Sequence, residues 1–249
     1  RTHKTINQVN SYLDNYKLNE AIKTMYNFIW KDYCDWYIEF SKNRIYGLND
    51  WDKEVVTSIA VYILKIILKL LHPYAPFITE EIWEYFKNKN ESILLHSEWP
   101  IANKQFINKK NEENFSFIMQ SIIAIRNMRS ELNISPKKEA RLICRGKDKK
   151  TKIILENLQY LKTLAKISHI ECGQDIEKPK QSSTAVINDV EIFLPLADLI
   201  DVNIEIERLQ SKVEDIKGRM QAVKKKLDNE SFIKNAPKKV VKHENNKFD

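Results

Sequence analysis

The sequence has little glycine and proline, with 4 Gly and 7 Pro among 249 residues. Both residue types punctuate turns and interrupt regular structure, so their scarcity excludes an all-β sandwich and predicts long helices. The hydrophobic content of 43% is enough for one large domain or two to three small ones with real cores. We therefore expect a folded, mainly α-helical chain.

Cysteines and long hydrophobic runs are scarce as well. Cys34, Cys144 and Cys172 are odd in number and far apart, which fits neither a disulfide framework nor the spacing of zinc ligands. The longest apolar run, near residues 61–71, contains two lysines and is too short to span a bilayer. These absences indicate a reducing, cytoplasmic setting with no membrane segment and no signal peptide.

Charge is unevenly distributed along the chain, whose formal net charge is +7. The basic excess lies in residues 137–180 and 217–249, whereas 181–216 is acidic and 1–136 is nearly balanced. Clustered positive charge is typical of proteins that bind a polyanion, although surface lysines are often merely solvated. Charge alone leaves both interpretations open.

The first part of the chain reads as a series of amphipathic helices with short connections. Asn49–Asp50 is suited to cap a helix that ends at His72–Pro73, and Pro76 is suited to begin the next. Further helices are predicted over 3–17 and 112–132. We interpret residues 1–136 as an antiparallel helical bundle.

The second predicted helix along the chain contains FIWKDYCDWYIEFSKNR (28–44), with six aromatic side chains. One set of apolar positions recurs at helical spacing and predicts a buried face, made by Tyr26, Ile29, Trp30, Tyr33, Tyr37 and Phe40. Acidic residues on the other face (Asp32, Asp35, Glu39) are better explained by solvation than by catalysis, because no nucleophile or histidine accompanies them. Trp36 lies off the apolar stripe and is a candidate for stacking an unpaired base.

The pattern changes near Pro136 and indicates a small α+β connector over 137–198. Strands are predicted at 140–144 and 168–172, with a helix at 149–166 between them. Asn188–Asp189 lies between two β-rich segments and predicts a two-residue hairpin turn.

The last part, 199–249, begins with an uninterrupted heptad repeat of apolar residues from Leu199 to Leu227. A parallel homodimer would place like charges opposite each other, Lys212 against Lys217 and Arg219 against Lys224, and is disfavoured. The break near 228–235 and the well-placed Pro237 instead predict an antiparallel coiled-coil hairpin whose second arm is truncated.

The exposed sides of this predicted arm are basic, which suits contact with phosphates but needs no pocket that reads bases. The candidate RNA-binding residues there are Lys217, Arg219, Lys224, Lys225, Lys226, Lys234, Lys238 and Lys239. The alternative is a helical module whose heptads pair with a protein partner.

Four stretches together resemble the valyl-tRNA synthetase family in order and spacing: FIWKDYCDWYIEFSK (28–42), LHPYAPFITEEIW (71–83), IRNMRSELNISP (125–136) and DNESFIKNAPKKVV (228–241). The resemblance implies a helical anticodon-binding domain, a connector and a coiled-coil arm that leans on the outer corner of the tRNA. Arg126 and Arg129 share a helix edge and are candidate RNA contacts in the bundle; salt bridges, for example to Glu131, are the alternative.

The resemblance also implies which functions of the family lie outside this chain. Neither the H-x-G-H-type nor the K-M-S-K-S-type motif of this class I synthetase group occurs here, and residue 1 is not Met. We therefore expect a non-catalytic, tRNA-binding piece of a longer, monomeric, cytoplasmic enzyme. The catalytic part of such an enzyme would bind valine and ATP with magnesium, and we predict no cofactor, metal or catalytic residue in this piece.

Overall fold

The computed structural model describes residues 1–197, 199–200, 202–229 and 239. Nine α-helices and four strands lie in these ranges. The helices are α1 Thr2–Asp14, α2 Leu18–Asn27, α3 Glu39–Ile45, α4 Asp50–Leu71, α5 Pro76–Phe86, α6 Lys109–Glu131, α7 Asp148–Glu156, α8 Leu158–Ala165 and α9 Val202–Leu227. The strands are β1 Ala140–Arg145, β2 Ile167–Gly173, β3 Ser182–Ile187 and β4 Val190–Pro195. Short 3₁₀ turns lie at Leu94–His96 and Lys104–Phe106.

This arrangement confirms the predicted fold class, a mainly α-helical chain with a small α+β unit. No helix in the described ranges is both long and apolar enough to cross a membrane.

Local signals set the ends of α4 and α5 as predicted. The Asn49 side chain accepts a hydrogen bond from the Asp52 backbone N–H at 3.2 Å, which satisfies one of the unpaired donors at the start of α4. Helix α4 ends at Leu71, and Pro76 occupies the first turn of α5, where its missing N–H is not needed.

The aromatic stretch is a π-helix over Phe28–Ile38, continuous with α2 and α3. Because a π-helix bonds residue i to i+5, the 3.6-residue period does not apply across this stretch. The prediction of one buried aromatic face is therefore wrong in part. Of the predicted set, Phe40 is buried and Ile29, Tyr33 and Tyr37 are partly buried, but Tyr26 and Trp30 are 60% and 53% exposed.

Hydrogen bonds from two tyrosines attach the π-helix to α4. The Tyr33 hydroxyl donates to the Ala60 carbonyl at 3.1 Å and the Tyr37 hydroxyl donates to the Val56 carbonyl at 2.9 Å. Burial raises the pKa of Tyr33 to about 12, so this hydroxyl stays protonated and keeps its role as donor.

The four strands form one mixed sheet in the order β2-β1-β4-β3. Strands β1 and β2 are parallel and are linked through α7 and α8, whereas β4 is antiparallel to both β1 and β3. The β3–β4 hairpin turns at Asn188 and Asp189, which both have positive φ, as a type I′ turn requires. The structure divides the single helix predicted for 149–166 into two at Asn157.

Helix α6 packs its buried face against this sheet. One hydrophobic cluster contains Phe117, Ile122 and Ile125 from α6 together with Leu142 and Ile192 from the sheet. The core therefore continues across the domain boundary predicted at residue 136.

Candidate nucleic-acid interface

Helix α9 presents cationic side chains to solvent. It has 26 residues, so it is about 39 Å long at 1.5 Å per residue. Lys217, Arg219, Lys224 and Lys225 are all exposed. Arg219 also forms an ion pair with Asp215, one turn earlier, at 2.8 Å. Because exposed ion pairs are weak, a phosphate can displace the Asp215 carboxylate.

The heptad stripe of α9 is only half covered. Five of its apolar side chains are 44–48% exposed, namely Ile206, Leu209, Val213, Ile216 and Met220. The predicted second arm of the hairpin falls almost entirely outside the described residues, as do Lys234, Lys238 and the side chain of Lys226. Lys239 is described, in helical conformation, and is exposed.

Arg126 lies on the exposed side of α6. Its Nε donates to the Leu164 carbonyl of α8 at 2.8 Å, rather than to the carboxylate of Glu131. The guanidinium is thereby held at the surface between α6 and α8, where it remains a candidate for contact with a phosphate.

Arg129, one turn further along α6, is buried, with 6% of its surface exposed. Its guanidinium donates to the carbonyls of Ser135 at 2.9 Å, Lys138 at 2.5 Å and Lys166 at 3.4 Å. Burial lowers the pKa of this guanidinium, and the three carbonyl acceptors offset the cost of burying its charge. These hydrogen bonds engage the guanidinium inside the protein, and RNA contact by Arg129 stays a prediction.

Trp36 lines a cleft of about 440 Å³ beside the π-helix. Its ring is half-buried and stacks on Phe40, with ring centroids 5.4 Å apart and an interplanar angle of 24°. Tyr33 and Tyr37 form part of the same wall, and Arg44 and Asp32 bring charge to it. Base stacking by Trp36 stays a prediction.

The acidic face of the aromatic stretch forms surface ion pairs. Asp32 pairs with the Arg1 guanidinium, and Glu39 pairs with Lys42 one turn away at 2.5 Å. Asp35 is exposed. Ion pairs of this kind fit a partly solvated face, and the interpretation of this face as solvated rather than as an acid–base pair stays a prediction.

The sequence prediction missed the two exposed rings Tyr26 and Trp30, whose centroids are 6.3 Å apart. A usable signal was present, because the buried residues Ala21, Met25 and Phe28 follow the helical spacing i, i+4, i+7. That register turns Tyr26 toward solvent, whereas Trp30 lies in the π-helix, where the 3.6-residue period does not apply.

Comparison with known proteins identifies the class to which this fold and basic surface correspond. Residues 1–144, more than half of the chain, match the anticodon-binding domain of tRNA ligases. The chain belongs to this family.

A second match concerns the arm and is more specific. Residues 201–249 match the tRNA-binding arm of valyl-tRNA synthetase. The resemblance to the valyl-tRNA synthetase family found in the sequence is thus confirmed.

Curated relatives agree with both matches. The chain is 40% identical over 245 residues to a valine–tRNA ligase of Listeria monocytogenes. The aligned residues are 98% of this chain and 28% of that relative. It is 36% identical over 248 residues to one of Bacillus subtilis (99% and 28%) and 38% identical over 242 residues to one of Fervidobacterium nodosum (97% and 27%). The chain thus spans less than a third of the length of these relatives.

Proposed function

We propose that this chain is the tRNA-binding part of a valine–tRNA ligase. The bundle binds the anticodon region, and α9 holds the outer corner of the same tRNA through its exposed cations. The observation that carries the proposal is the set of exposed cations on α9, Lys217, Arg219, Lys224 and Lys225, in a chain whose first 144 residues match an anticodon-binding family.

Phosphate contact explains the charges of α9 better than base reading does. The helix offers a convex surface with flexible lysine side chains, and such cations neutralise phosphates without regard to sequence. Base recognition needs aromatic faces or planar donors, and the bundle offers an aromatic face at Trp36.

In this proposal the chain orients tRNA and performs no chemistry itself. ATP with magnesium and valine bind elsewhere in the longer enzyme, which is class I, cytoplasmic and monomeric. The enzyme joins valine to its tRNA through an adenylate.

The test is tRNA binding by the 249-residue chain and by a variant with Lys217→Glu, Lys224→Glu and Lys225→Glu. A matched control reverses three exposed lysines outside the arm, at Lys89, Lys104 and Lys110. Both variants have the same net charge, so a general field effect changes them equally. We expect the arm variant to lose at least about tenfold in affinity and the control to lose much less.

The half-exposed heptad stripe favours a second candidate, a helical module that pairs with a protein partner. Such a module would bury Ile206, Leu209 and Val213 against a helix of the partner. Replacing the arm lysines would then leave tRNA affinity unchanged. Equal tRNA affinity for the arm variant and the unmodified chain would support this alternative.

A further inference from the structure

The C-terminal end of α6 is the point where the bundle, the sheet and α9 meet. The buried Arg129 guanidinium joins this end of α6 to two separate segments, the loop carrying Ser135 and Lys138 and the residue before β2, Lys166. All three acceptors are backbone carbonyls, so these hydrogen bonds fix the backbone conformation of the two segments relative to α6.

The base of α9 is attached to the same end of α6 at two places. Lys138, whose carbonyl accepts from Arg129, donates from its Nζ to the Leu199 carbonyl at 3.1 Å. Leu199 is itself buried in the shared core, 7% exposed. The second attachment is made by Arg208, which donates to the Glu131 carbonyl at 3.1 Å.

The length of α9 amplifies any change at these attachments. A tilt of about 10° at the base of a 39 Å helix moves its far end by about 7 Å. Such a displacement exceeds the roughly 4 Å over which an ion pair is counted. The direction of α9 at its base therefore decides whether Lys224 and Lys225 reach their phosphates.

We propose that Arg129 is a positioning residue, which sets the direction of α9 relative to the bundle so that both engage one tRNA. This inference rests on the proposed function. It replaces the expectation of a direct RNA contact, since the guanidinium acts through the 135–138 loop and Leu199.

Two variants weaken this junction to different degrees. Arg129→Met removes all of the guanidinium hydrogen bonds, while Lys138→Met removes only the ammonium contact with Leu199 and keeps the carbonyl that Arg129 uses. Lys138 is exposed, so its variant is expected to fold normally. The matched control for the distance measurement is Arg126→Met, which removes an arginine one turn away on the same helix whose Nε contact goes to α8.

The direct readout is the distance between a label on the bundle and one on α9. Genetically encoded amino acids that carry a ketone, placed at the exposed positions of Glu54 and Gln221, can be labelled without modifying the native cysteines. We expect one narrow distance distribution for the unmodified chain and for Arg126→Met. Arg129→Met and Lys138→Met are expected to broaden or shift it, a change that a uniform loss of stability would not produce in the folded population.

The second readout compares a valine tRNA transcript with a hairpin that carries only its anticodon stem and loop. Two linked sites gain affinity only when geometry allows both to engage, so Arg129→Met should weaken whole-tRNA binding by at least about tenfold. Binding of the hairpin, which needs only the bundle, should change less than about twofold.

Unchanged label distances in both folded junction variants would overturn the proposal. An equal loss of affinity for tRNA and hairpin would overturn it too, because it would indicate damage to the bundle. If the unmodified chain binds neither RNA, the proposed function fails, but the distance measurement still decides whether Arg129 orients α9.

Discussion

Replacement of Ile122 by alanine tests whether the bundle and the sheet share one core. Ile122 is fully buried on α6, in the cluster that includes residues of β1 and β4. Alanine removes three carbon groups, about 2.4 kcal/mol of transfer free energy at about 0.8 kcal/mol per group. The cavity term brings the expected loss in the free energy of unfolding to about 3–4 kcal/mol.

The neighbouring Ile123 provides the matched control, since it has the same side chain on the same helix but is 45% exposed. Its replacement by alanine should cost less than about 1 kcal/mol. For a chain of this length, the loss of about 3–4 kcal/mol expected for Ile122→Ala corresponds to a fall in Tm of about 10 °C.

The assay is urea or thermal unfolding followed both by tryptophan fluorescence and by far-UV circular dichroism. All five tryptophans lie within residues 30–99, so the fluorescence reports on the bundle alone. We expect both signals of Ile122→Ala to shift together. Equal costs for the two variants, or a sheet that unfolds separately from the bundle, would refute the shared core.

Two further predictions concern local features. Asn49→Ala removes the cap at the start of α4 and should lower the free energy of unfolding by about 1 kcal/mol in urea titrations, whereas Asn49→Asp, which keeps the acceptor, should be nearly neutral. Tyr33 has a pKa raised by burial to about 12, so the unfolded chain releases this proton first, and stability should fall as pH rises from about 10 to about 12. Tyr33→Phe should flatten that part of the stability–pH curve, and an unchanged curve would contradict the assignment.

Features set by neighbouring residues could be predicted from the sequence. The Asn49 cap, the first-turn Pro76 and the Asn188–Asp189 turn each depend on a few adjacent residues, and the structure has them where expected. A strand was also predicted at 168–172, and the structure has one at Ile167–Gly173, although its parallel pairing with β1 was not predicted.

Features that depend on distant partners could not be predicted. Arg129 follows Ile122 and Ile125 at i+7 and i+4, the spacing of the buried face of α6, but its acceptors, such as the Lys166 carbonyl 37 residues away, could not be predicted. The π-helix escaped prediction for another reason: a period of 3.6 was assumed where the backbone bonds i to i+5.

The central claim, that the cations of α9 rest on tRNA phosphates, is tested most directly by the salt dependence of tRNA binding. Each phosphate contact adds about 0.7 to 0.9 to the slope of log K against log salt. We predict that reversing Lys217, Lys224 and Lys225 lowers the slope by about 2 to 3, while reversing Lys89, Lys104 and Lys110 leaves it nearly unchanged. Identical slopes for the unmodified chain and the arm variant would contradict the account.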